Sequence, residues 1–170
     1  MAANDRDVII THPNRDSAAA KATRLAVIFL LLASAGLVVI ITIGGWNALE
    51  GAKAVQIAYP ILYVLMAYYV ARWNRGVLPV AAALAIILGI FAAVAGPAWF
   101  DRDKAGFTSP ALDESILGLL TFLLVPVQVL LIAFAMRGFS QAWNVEVEEP
   151  ASRAQRQGGG GAAPQSPATA

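Results

Sequence analysis

The sequence predicts an all-α fold: an integral membrane bundle of four transmembrane helices, both termini in the cytoplasm, with a disordered C-terminal tail. Three observations predict it. First, 58% of the 170 residues are hydrophobic and only 14% are charged, whereas a soluble domain typically carries about 25% charged residues. A water-soluble chain of this length has too little interior to hide so much apolar surface. Second, the surplus is gathered into four runs, at 25–46, 55–71, 77–100 and 116–136, and none contains a charged residue. Each is near the ~20 residues that cross a ~30 Å hydrocarbon core. Backbone groups in lipid must bond within their own segment, which selects helices; the alternating ten-residue runs of a barrel are absent.

The third observation is the placement of Lys and Arg, which sets orientation when counted near the membrane. Nine lie on one side: Arg6, Arg15, Lys21 and Arg24, then Arg72 and Arg75, then Arg137, Arg153 and Arg156. Only Lys53, Arg102 and Lys104, three residues, fall on the other. This asymmetry predicts a multi-pass protein of the plasma (inner) membrane with both termini cytoplasmic. The alanine-rich composition and the Gly-Ala-Pro tail point to a bacterial source.

Residues 1–16 form a polar cytoplasmic segment with one apolar patch, Val8-Ile9-Ile10. Residues 17–143 are the transmembrane domain, and 144–170 the cytoplasmic tail. Asp16 or Ser17 can cap a helix that enters the membrane through Ala18-Ala19-Ala20-Lys21. Ala33-Ser34-Ala35 resembles a cleavage site, but the apolar run continues well past it. A signal core ends before its cut, so the first run reads as a retained transmembrane helix. In the second helix, Tyr59 and Tyr63 share a face.

The third helix carries Ala81, Ala85, Gly89 and Ala93 at four-residue spacing, a ridge of small side chains that lets helix backbones approach in lipid. Its expected contact is another helix of the bundle, with a homodimer as second choice. The helix ends at Gly96-Pro97 and the aromatics Trp99 and Phe100. In the loop that follows, Ser109-Pro110 reads as an N-cap followed by proline at the first helical position. Asp113 and Glu114 then complement the dipole of the fourth helix. Asp101, Asp103, Asp113 and Glu114 are the only grouping that resembles a hard-cation site. Their spacing matches no calcium loop, and Arg102 and Lys104 interrupt them, so exit from and re-entry into the membrane explains them better.

The fourth helix places Gly118, Thr121, Val125 and Gln128 on one face, the small and polar side that should point inward. Pro126 should kink it near its middle. The second and fourth helices run in the same direction, so Tyr59 falls at the depth of Thr121, and Tyr63 near Pro126 and Gln128. The expectation is a polar midplane layer of Tyr63, Thr121, Pro126 and Gln128, hydrogen-bonded across the interior. Trp46, Trp73, Trp99 and Trp143 are expected as interfacial anchors. Three of the four, Trp46, Trp73 and Trp143, precede an asparagine, which tolerates the left-handed conformation that often ends a helix. Phe139 and Trp143 can lie along the cytoplasmic interface. Residues 144–150 alternate like a short exposed strand, suited to docking on a partner but more simply a solvated exit. Beyond Ala151 the composition is that of a disordered tail.

These residues exclude much chemistry. No cysteine is present, which removes thiolate nucleophiles, disulfides and Cys-ligated metals. The single histidine, His12, lies outside the membrane, so intramembrane haem ligation and a Ser-His-Asp arrangement are unavailable. No ionisable Asp, Glu, Lys, Arg or His stands in the oil to couple transport. A net charge of +1 gives no ground for nucleic-acid binding. The sequence thus predicts a non-enzymatic membrane protein without catalytic, cofactor or metal residues. Its partners are the lipid bilayer and other membrane subunits or a second copy of itself, and it serves as an accessory or assembly subunit. The alternative is a small oligomeric transporter or channel that uses the midplane layer.

Overall fold

The computed structural model describes residues 8–49, 51–102 and 107–150. Asp103, Lys104, the first seven residues and the tail from 151 onward lie outside the described residues. The elements are β1 (Val8–Thr11), α1 (Pro13–Asp16), α2 (Ala18–Gly44), α3 (Lys53–Ala71), α4 (Val77–Phe100), α5 (Glu114–Ser140) and β2 (Val147–Pro150). The four long helices, α2 to α5, are each long and apolar enough to cross a membrane. Short connections make sequential neighbours antiparallel, so the first and last described residues lie at one end of the bundle, here called the terminal end; the other is the distal end.

Each helix has an identifiable start or stop. The Ser17 hydroxyl oxygen accepts from the amide of Ala20 and opens α2. Inside the helices, Thr23, Ser34, Thr42 and Thr121 are buried, and each hydroxyl donates to the carbonyl four residues earlier. That satisfies a polar group without water. Pro60, Pro97 and Pro126 each sit inside a helix that continues through them.

α3 ends in a Schellman motif: the Trp73 amide donates to Val70 O and the Asn74 amide to Tyr69 O. The left-handed residue is Trp73 itself, at φ 60°, rather than the expected asparagine. Asn74 instead accepts from the amide of Gly76 through its side-chain oxygen, in the turn before α4. α5 ends comparably, with Ala142 at φ 48° and Trp143 packed back on Gly138.

The start of α5 departs from the sequence expectation. Its N-cap is Asp113, whose carboxylate accepts from the amide of Ser115, not Ser109. The loop before it is used elsewhere. The amides of Ala111 and Leu112 donate to Gly44 O at 2.8 and 3.1 Å, satisfying a carbonyl at the C-terminus of α2 that the helix leaves open. Leu112 lies so close to Gly44 that a Cβ there would collide with it.

α5 is the central helix, packing along both α4 and α2; α2 also packs against α3, while α3 meets α4 over a much shorter stretch. Two strands extend the all-α expectation. β1 pairs antiparallel with β2, placing Ile10 opposite Glu148 and Thr11 opposite Val147. Residues 147–150, expected as the beginning of the tail, therefore form a strand, and what they dock on is the chain's own N-terminal segment.

Candidate functional site

At mid-bundle three helices converge on one polar chain. The Tyr63 hydroxyl on α3 donates to Oε1 of Gln128 on α5 at 2.9 Å. Nε2 of Gln128 donates to Oγ of Ser34 on α2 at 2.9 Å. The Ser34 hydroxyl donates onward to Leu30 O at 2.7 Å. Tyr63 and Ser34 are 0% exposed and Gln128 1%, so every link forms out of contact with solvent. Neither end of the amide oxygen–nitrogen pair is left without a bond. The ring of Tyr59 stands edge-on to that of Tyr63, with centroids 5.7 Å apart.

The structure thus brings Tyr63 and Gln128 together and leaves two expected members of the layer apart. Thr121 is buried but turns its hydroxyl to Leu117 O of its own helix. Pro126 is exposed on the outer side of α5. Ser34, expected only as part of a cleavage-like Ala33-Ser34-Ala35 in the first run, is the third member. Its signal in the sequence was its position midway along the first span, at the same depth as Tyr63.

The small-residue ridge of α4 divides in two. Ala81 and Ala85 are buried against the bundle, Gly89 is half-buried and Ala93 is exposed. The reason is geometric: each four-residue step advances about 40° around a helix of 3.6 residues per turn, so a strict four-residue ridge winds off its face. The buried face instead follows Leu78, Ala81, Ala85, Leu88, Ala92, Gly96 and Trp99. Gly89 and Ala93 floor a shallow apolar groove of about 240 Å³, walled by Val125, Val129 and Ile132 of α5. The Cβ of Gln128 lies directly beneath Gly89.

The four tryptophans expected as interfacial anchors sit in unlike surroundings. Trp46 is 42% exposed, with the Lys53 ammonium 4.7 Å from its ring centroid. Trp143 is 0% exposed. It packs edge-on against half-buried Trp73 at 5.3 Å and donates its indole N–H to Gln141. Trp99 is buried too, against Gly45. Burying a large ring whose N–H finds a partner is favourable inside protein, and no local pattern announces the loop contact that does it.

Arginines at the terminal end bond to carbonyls of other elements. Arg24 donates to Ala71 O at the end of α3 and stacks 4.4 Å over Trp73. Arg75 donates to Phe139 O in α5 and to the Asn144 side chain. Arg15 donates to Trp143 O, and Asn14 to Ala142 O. A cation at a helix C-terminus meets the negative end of its dipole. His12 and Glu146 face each other at 3.9 Å beside the strands.

The distal end is different in kind. A cavity of about 630 Å³ lies between α3 and α4, lined almost entirely by apolar side chains and bounded by Trp99 and Arg102 at its outer end. Of the carboxylates weighed as a cation site, Asp113 is engaged as the cap of α5, and Asp103 lies outside the described residues. No family model, curated protein or solved structure matches this chain. What the fold itself defines is a helical bundle with four segments suited to crossing a membrane.

Proposed function

We propose that this protein is a multi-pass component of the plasma membrane, with both termini in the cytoplasm, that works as a non-enzymatic accessory or assembly subunit through helix contacts. The observation that carries this reading is the uncovered groove at Gly89 and Ala93. Small residues that leave the bundle's own interface while remaining on a helix surface offer a place where a further transmembrane helix can approach closely. The midplane chain supports the same reading over transport. Gln128 has both its ends bonded inside the protein, which suits a clamp that sets helix register better than a site that exchanges water or ions.

Purification of the tagged full chain from mild detergent, followed by mass spectrometry, tests the proposal. A membrane protein partner should co-purify with the native chain and be lost from Gly89→Leu, whose side chain fills the groove. A lone monomer, or a partner indifferent to that substitution, contradicts it. Orientation is tested separately with reporters fused to either terminus, both of which should report the cytoplasm.

A further inference from the structure

The cavity between α3 and α4 is the one feature at the distal end that neither packing nor the groove explains. Its lining runs on α4 from Leu88 to Trp99, about 16 Å at 1.5 Å per residue, close to half of a ~30 Å hydrocarbon core. At about 630 Å³ it lies within the size range of ligand pockets, which are mostly apolar with a few placed polar groups. It opens sideways rather than inward: Val55 on α3 and Phe91 and Val94 on α4 line it and are exposed on the outside of the bundle.

Three polar groups mark one end of it. Tyr59 is 7% exposed and lines the cavity, and its hydroxyl has no hydrogen-bond partner among the described residues. Gln56, one turn closer to the helix start, also lines the cavity, and its side-chain amide bonds to the Thr42 hydroxyl, which leaves at least one amide N–H without a partner among the described residues. Arg102 closes the outer end. Its guanidinium lies 5.0 Å from the ring centroid of Trp99 and 5.9 Å from that of Phe107. An unpartnered donor in an apolar pocket costs free energy until something accepts from it, and a cation at the level of the headgroups attracts an anion.

We propose that this cavity is a binding site for one anionic phospholipid of the distal leaflet. One acyl chain fills the apolar slot, the glycerol ester carbonyls accept from Tyr59 and Gln56, and the phosphate lies against Arg102. Only the membrane setting is taken over from the functional reading above; the groove at Gly89 and any partner there are independent of it.

Native mass spectrometry of the full chain released from nanodiscs of phosphatidylglycerol or of phosphatidylcholine tests the site. The native chain should retain one phosphatidylglycerol through delipidation, with about a fivefold preference over phosphatidylcholine, the effect of a single arginine beside an anionic headgroup. Arg102→Gln should abolish the preference while leaving some retention of either lipid. Tyr59→Phe should weaken retention of both, and Ala95→Phe, which fills the slot from α4, should remove it. Equal retention of the two lipids by the native chain, or full retention by Ala95→Phe, overturns the proposal. So does a dimer that Ala95→Phe dissociates, because a second copy would then occupy the cavity. Arg102 lies beyond the end of α4, so its substitution reads out the site even if a helix substitution disturbs folding. A chain that remains monodisperse without detergent would instead overturn the membrane setting itself.

Discussion

The two ends of this bundle are built differently. At the terminal end, arginines and asparagines from one element bond to the carbonyls that close another, two tryptophans interlock, and a strand pair joins the first described residues to the last. At the distal end the chain satisfies itself through backbone contacts such as Ala111 and Leu112 on Gly44, and α3 and α4 leave a cavity between them. Between the two stands the Tyr63–Gln128–Ser34 chain, which ties three helices at one level. The difference teaches that the basic residues which signal orientation also act as structure. Arg15, Arg24 and Arg75 hold neighbouring elements together, whereas the Arg102 guanidinium at the far end lies beside the rings of Trp99 and Phe107.

The comparison breaks most visibly at the tryptophans. Trp143→Ala empties a fully enclosed site and should cost about 3–5 kcal/mol, read as a large fall in thermal midpoint in detergent. Trp46→Ala, at an exposed ring, should change it by under about 0.5 kcal/mol. Equal effects would mean that the terminal end is no tighter than the rest. Overpacking should show the same asymmetry on a smaller scale. Ala135→Phe on the buried face of α5 should cost about 1–3 kcal/mol, while Ala95→Phe should be close to neutral because the ring enters open space.

The midplane clamp gives a third, smaller effect. Gln128→Leu leaves the Tyr63 hydroxyl buried without a partner and should cost about 1–3 kcal/mol. Combining it with Tyr63→Phe should recover part of that loss, since removing both partners is less costly than stranding one. Strict additivity in this double-mutant cycle would show that the two side chains do not act together. One substitution should bring a gain: Ala142→Gly relieves a left-handed residue at φ 48° and should raise stability by about 1 kcal/mol, read as a higher thermal midpoint in detergent.

What was legible in the sequence was whatever depends on composition along one helix. The third run coincides with α4, the second and fourth lie inside α3 and α5, and the first runs two residues past the end of α2, which begins seven residues before it. Tyr63 and Gln128 could be paired because both are polar groups at the same depth on parallel helices, with few alternatives in an apolar interior. Ser34 was harder, because a lone serine in a leucine-rich run satisfies itself within its own helix and gives no sign of a cross-helix bond. Contacts between loops and helix ends were illegible. Nothing local in Ser109-Pro110 reveals that the loop folds onto Gly44, nor in residues 144–150 that their mate is Val8–Thr11. The winding of the Ala81–Ala93 ridge was calculable from helix geometry, but which half would stay inside depended on where α5 lies.

The contrast between a tied terminal end and a parted distal end is best measured as two distances. The chain contains no cysteine, so spin labels on introduced pairs report only the chosen positions. Labels at Tyr69→Cys and Val80→Cys span α3 and α4 near the terminal end; labels at Ile57→Cys and Val94→Cys span them near the distal end, all four at exposed sites. In nanodiscs the first pair should give one narrow distance distribution whatever the lipid. The second should be broader in phosphatidylcholine and narrow when phosphatidylglycerol is supplied. Two equally narrow distributions that ignore the lipid, or a broader one at the terminal end, would contradict the account.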